Sequence, residues 1–137
     1  MNENHIFVDT NILIGAFAGL QPDERCLQYL FSLKGKKLFI SSLSIAQLVS
    51  LFQKKKTFFE IAKYVRYLIS KFVVISFTEK DIETSLTIEQ HDMEDTIQYV
   101  LSQKLKCLNF ITNNRKDYRC YHNIDVFSSS TIRSIEK

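Results

Sequence analysis

The stretch Ile6-Phe7-Val8-Asp9-Thr10-Asn11, followed by Ile12-Leu13-Ile14-Gly15-Ala16-Phe17, decides the fold class. Three consecutive apolar residues end on an acid and two small polar residues, and a helical apolar stretch follows at once. A strand with apolar side chains on both faces belongs in a sheet that is covered on both sides. An acid at its carboxyl end stands where the loops of a parallel sheet converge. Similar apolar runs recur at Leu38 to Ile40, Phe72 to Phe77, Leu108 to Ile111 and Ile124 to Phe127, which with Ile6 to Val8 makes five strands. Each suffices for a strand and is too short for a stable helix. Between them Phe58, Ile61, Ala62, Val65, Leu68, Ile69 and Phe72 recur at three- and four-residue steps, as do Met93, Ile97, Val100, Leu101 and Leu105. That period is helical. Further helices are predicted over Pro22 to Leu33, Ser42 to Gln53 and Glu79 to Ile88, with a short one near Ser128 to Ile135. The alternation predicts an α/β fold, a central and mainly parallel five-stranded sheet flanked by helices.

Composition agrees with that class. A chain of 137 residues is sized for one domain, spanning 1–137, and 45% apolar with 24% charged residues can bury a core. Three Gly and one Pro leave little material for the tight hairpins of an all-β fold. Cys26, Cys107 and Cys120 are odd in number, widely spaced and without a CxxC, so neither a disulfide framework nor a zinc knuckle is indicated. No signal-like opening and no apolar run of membrane-spanning length is present, so a cytoplasmic protein away from membranes is expected.

Charge is unevenly placed. Between Glu79 and Asp95 lie seven acids and one base, Lys80, so this window carries −6 and the remainder of the +3 chain carries +9. Such a split suits a protein that attracts a polyanion through Lys and Arg and holds cations at carboxylates. Lys54, Lys55 and Lys56 equally fit a solvated helix end.

Three polar blocks could carry chemistry. Asp9-Thr10-Asn11 follows the first strand, and an Asp there also serves as a helix cap. In Asp92-Met93-Glu94-Asp95-Thr96-Ile97-Gln98-Tyr99, Asp92 suits an N-cap and Asp95 the first turn, where negative charge favours the helix dipole. In Thr112-Asn113-Asn114-Arg115-Lys116-Asp117, a strand ends in small polar residues and reaches an acid five positions after Thr112. A parallel sheet would bring Asp9, Asp95 and Asp117 to one rim, with Asp92 nearby. Clustered carboxylates repel unless protonated or neutralised, and hard oxygen ligands suit Mg²⁺ or Mn²⁺. Such an ion activates water and steadies the charge of phosphodiester attack, with Thr10, Asn11, Thr112 and Asn114 orienting ligands.

In order and spacing these three blocks resemble the PIN domain family, over nearly the whole chain. The resemblance implies a three-layer α/β fold and a Mg²⁺- or Mn²⁺-dependent endoribonuclease, with metal and catalytic positions at Asp9, Asp95 and Asp117. It implies supporting roles for Asn11, Thr112, Asn114 and Asp92. Many small bacterial members are toxins of the VapBC type, so RNA is the implied substrate and a small antitoxin and a homodimer are implied partners. Lys54, Lys55, Lys56, Arg115 and Lys116 are candidates for RNA contact, with Lys63 and Arg66 on the same helix face as the lysine run. The family usually places a glutamate on the helix after the second strand, and in Ser42-Leu43-Ser44-Ile45-Ala46-Gln47-Leu48 that position is Gln47. An amide accepts a hydrogen bond but adds no negative charge. A PIN-like module that binds RNA or protein without cutting is therefore the alternative.

Other classes lack residues. A haloacid-dehalogenase-type phosphatase needs an acid where Asn11 stands, and a receiver domain needs an Asp after the run Phe72 to Phe77, which ends in Thr78 and Glu79. GxGxxG, Walker A and GxSxG patterns are absent, and His5, His91 and His122 show no ligand spacing and read as surface residues.

Overall fold

The computed structural model of the chain describes residues 1–89 and 92–135, so the expectation for His91 lies outside the described residues. Among the described residues five strands form one sheet: β1 (Asn2–Val8), β2 (Lys37–Ser41), β3 (Val73–Ile75), β4 (Cys107–Ile111) and β5 (Asp125–Phe127). Their order is β3-β2-β1-β4-β5, and all four ladders are parallel. The α/β expectation holds, with a sheet that is wholly parallel. β1 starts ahead of its apolar run because Asn2 pairs with Cys107 and its backbone N–H donates to Lys106 O at 2.8 Å. β3 is shorter than the run from Phe72 to Phe77, since it is an edge strand bonded to β2 alone.

Helices α1 (Thr10–Phe17), α2 (Gln21–Ser32), α3 (Ser42–Phe52), α4 (Phe58–Lys71), α5 (Glu79–Leu86), α6 (Met93–Lys104) and α7 (Arg115–Tyr118) connect the strands. Side chains alternate across a strand, so β1 sends Ile6 and Val8 to one face and Phe7 to the other. Ile6 and Val8 join a core with Ile12, Leu27, Leu30, Leu48 and Leu68 from α1 to α4. Phe7 joins a second core with Ile97, Leu101, Phe110 and Tyr118. Each face thus has its own helical layer, which is why the strands are apolar throughout. Cys26 and Cys107 are buried free thiols and Cys120 is an exposed one.

Three expectations change. Arg115–Tyr118 is a short helix where a polar loop was expected, its one buried residue being Tyr118. From Ser128 to Ile135 only Ile132–Ser134 is helical, as a 3₁₀ turn, because the Thr131 hydroxyl accepts from the Ser128 N–H at 2.8 Å and closes a turn there. Lys54, Lys55 and Lys56 do not share a helix face with Lys63 and Arg66. They occupy the turn between α3 and α4, since Thr57 and Glu60 form a capping box that starts a new helix.

Candidate active site

β1 ends where the strand order reverses, with β2 on one side and β4 on the other, so the loops there diverge and leave a crevice. Asp9 stands at that point and is 3% exposed. Its side chain caps α1 by accepting the Thr10 N–H at 2.8 Å, so the capping function is real. It also borders a cleft of about 740 Å³ lined by Thr10, Asn11, Gln47, Lys54, Glu94, Asp95, Gln98 and Asn114, among others. Oδ2 accepts from the Thr112 hydroxyl at 2.8 Å, the Asn11 amide at 3.1 Å and the Tyr118 hydroxyl at 3.3 Å. Oδ1 has one short partner, the Thr10 N–H, and a long one, Gln98 Nε2 at 3.4 Å. Burial pushes the Asp9 carboxyl above its ordinary range, although Thr112, Thr10, Tyr118 and Gln98 all favour the ionised form.

Thr10 leads away from Asp9 into a buried polar network. Its hydroxyl lies 2.7 Å from Ser44 Oγ and donates to Gln47 Oε1 at 2.7 Å. Gln98 Nε2 donates to Thr10 Oγ1 at 3.0 Å and to Ser44 Oγ at 2.8 Å. Gln47 Nε2 in turn donates to the Glu94 carboxylate. On the β4 side, the Asn114 N–H donates to Thr112 Oγ1 at 3.0 Å, and the Asn113 N–H to Asn11 Oδ1 at 2.9 Å.

The acids of α6 divide their work. Asp92 is the N-cap, accepting the Asp95 N–H at 3.0 Å. Asp95, in the first turn, reaches the cleft beside Asp9. Burial first, then the Asp9 and Asp92 charges and a hydrogen bond with Asp117, push the Asp95 carboxyl up to about 7. Asp117, from α7, shares with Asp92, Asp95, Lys116 and Cys120 a smaller adjoining cavity of about 80 Å³. Asp9 and Asp117 therefore flank Asp95 from two sides, and Asp117 does not border the main cleft.

The basic candidates scatter. Lys54 lines the cleft, Lys55 is exposed, and Lys56 pairs with Glu60 at 3.9 Å. Arg115 lies with Arg119 and His122 along a separate cavity behind Tyr118. Within the acidic window, Asp81 closes the capping box of α5 and pairs with Lys104 at 3.3 Å, away from the cleft.

The donor set suits a hard divalent cation. Asp95 Oδ2 and Gln98 Oε1 are buried without a hydrogen-bond partner, and both residues border the cleft beside Asp9. Orphaned acceptors beside raised carboxyls call for positive charge. Among the described residues no three His, Cys, Asp or Glu side chains group closely enough to hold an ion by themselves. Mg²⁺ commonly binds through one or two carboxylates and keeps waters or substrate oxygens, which this arrangement permits.

Sequence reasoning missed Gln98, Ser44, Tyr118 and Glu94 as members of the site. Gln98 carries a legible sign, a polar residue between Ile97 and Val100 on the buried side of α6, where it is 1% exposed. The others become visible only once α3, α6 and α7 meet.

The PIN domain model matches residues 6–122, and the chain belongs to the PIN domain family. Its relatives give a narrower neighbourhood: Ribonuclease VapC1 of Aquifex aeolicus (strain VF5) is 25% identical over 134 residues, covering 86% of this chain and 87% of the relative. The fold is similar to VapBC-1 from nontypeable Haemophilus influenzae, with a TM-score of 0.70, 15% identity and coverage of 92% of this chain and 98% of that one. It is also similar to a toxin-antitoxin complex from Klebsiella pneumoniae, at TM-score 0.69 and 23% identity over 90% of this chain and 97% of that one.

Proposed function

We propose that this chain is a Mg²⁺- or Mn²⁺-dependent endoribonuclease of the VapC type, acting as one PIN unit over residues 1–137, with Asp9 and Asp95 holding the cation and Asp117 supporting Asp95. One observation carries the reading: Asp95 and Gln98, each with a buried side-chain oxygen that has no hydrogen-bond partner, line a cleft beside the buried Asp9 carboxylate. The relationship to a ribonuclease supports it further.

When bound, the cation activates water and stabilises charge on the phosphoryl oxygens. The chain's own groups prepare the place. Thr112, Asn11 and Tyr118 fix Asp9 Oδ2 so that this carboxylate does not swing. Thr10 and Ser44 hold the Gln98 amide nitrogen, which fixes this side chain in the wall of the cleft. Lys54 sets a positive charge on the same wall, suited to an RNA phosphate. Arg115 and Lys116 would meet the strand only outside the cleft.

A small antitoxin is the proposed partner, in line with the VapBC and toxin-antitoxin complexes among the structural neighbours. The start of α4 offers Phe58 and Phe59, 79% and 82% exposed, as an apolar contact for it or for a second copy. Among the described residues no helix is long and apolar enough to cross a membrane, and a cytoplasmic site of action is part of the proposal.

The test is cleavage of single-stranded RNA with Mn²⁺, with chelator, and by Asp9→Asn. Metal-dependent cleavage lost in the variant is expected. The non-cutting module is favoured by one feature, the amide at position 47, and it gains the field if wild type and Asp9→Asn are equally inert while both bind RNA.

A further inference from the structure

The contact between Gln47 and Glu94 changes what the amide at position 47 means. Gln47 is half-buried on α3, its oxygen accepting from Thr10 Oγ1 at 2.7 Å and its nitrogen donating to the Glu94 carboxylate from α6. Both residues line the cleft with Asp9 and Asp95. Resting on the ribonuclease reading above, we propose that Glu94 supplies the negative charge that the family pattern places at position 47, and that Gln47 is its positioning residue.

The chemistry of the pair favours this assignment. A glutamate at 47 could accept from Thr10 equally well, but it would set a second carboxylate against Glu94 with no proton between them. An amide satisfies both neighbours at once, accepting from the hydroxyl and donating to the acid. The acid is thus displaced across the cleft from α3 to α6. Favourable interaction with the α6 dipole explains an acid in its first turn, yet it does not explain a side chain engaged from 47 positions away in sequence. Gln98, 1% exposed and with its Oε1 unpartnered, lines the same cleft as this pair. Among the described residues no three acids group closely enough to hold an ion by themselves, so the role proposed for Glu94 is its charge beside the cleft and not direct ligation.

Mn²⁺ titration by calorimetry tests this, using wild type, Glu94→Gln, the double swap Gln47→Glu with Glu94→Gln, and Asp9→Asn. Melting in the absence of metal checks that each variant is folded, and RNA cleavage is read alongside. Glu94→Gln is expected to weaken Mn²⁺ binding by about 10- to 100-fold, the range typical of outer partners of a metal site. The double swap keeps the charge and is expected to recover most of that loss. If Glu94→Gln binds Mn²⁺ like wild type while Asp9→Asn does not, the role of Glu94 is overturned and the ribonuclease reading stands. If Glu94→Gln weakens binding and the swap recovers none of it, the equivalence of the two positions is overturned. If Asp9→Asn binds and cleaves like wild type, the ribonuclease site itself is misplaced and the inference falls with it.

Discussion

At the residue scale, Asp95 gives the site a pH dependence whose sign is fixed. Its carboxyl titrates at about 7 in the folded protein, against an ordinary 3.8, chiefly because it is desolvated and then because Asp9 and Asp92 are near. Between these values the folded protein holds a proton that the unfolded chain has released, so stability falls as pH rises through the window. Above about 7 both states are ionised and the loss is complete. Asp9, also raised, acts in the same direction. In metal-free buffer, Asp95→Asn should flatten the decline in melting temperature between pH 4 and 7, and a variant as pH-sensitive as wild type would contradict the assignment. Added Mn²⁺ competes with that proton, so its stabilising effect should grow across the same window. The acids at Asp9, Asp95 and Asp117 were legible because each follows a strand end or opens a helix. Gln98 and Tyr118 were not, because one sits within an apolar helical period and the other in what reads as a loop, and both reach Asp9 only through tertiary packing.

At the element scale, the α1–α2 packing depends on one glycine. A Cβ at Gly15 would lie 1.7 Å from Asp23 Oδ2 and 2.7 Å from its Cγ. Asp23 has little freedom to yield, being 3% exposed and held by Asn113 Nδ2 at 2.9 Å. Asn113 also donates its N–H to Asn11 Oδ1, so the misfit would reach the edge of the cleft. Gly15→Ala should cost about 1–3 kcal/mol in urea denaturation, the usual cost of overpacking. A loss below about 0.5 kcal/mol, ordinary for a surface change, would show that α2 moves away freely. The elements themselves were largely legible, since parallel strands buried on both faces stay apolar and the crossover helices keep their period. What escaped was short or polar: α7 has four residues and one buried side chain, and the start of β1 is Asn2-Glu3-Asn4-His5. The lysine turn was misread because a capping box can begin a helix inside what looks like continuous helical sequence.

For the whole molecule, the split of charge takes on a spatial meaning. The acidic window is no single cluster, since Asp81 serves α5 and Lys104 while Glu94 and Asp95 face the cleft. Lys54 is the member of the lysine run on the cleft wall, and Lys55, Lys63 and Arg66 are exposed beyond it. RNA affinity should fall linearly with log salt, at a slope of about −0.7 per phosphate contacted. Lys54→Gln should make that slope shallower by about one contact, and an unchanged slope would return Lys54 to plain solvated surface. The central proposal is that Asp9 and Asp95, at the reversal of strand order, hold a divalent cation. Titration of Mn²⁺ into wild type beside Asp9→Asn and Asp95→Asn, followed calorimetrically, measures that directly: binding by wild type and its loss in both variants is the expected result, and equal binding by all three, or none by wild type, would contradict it.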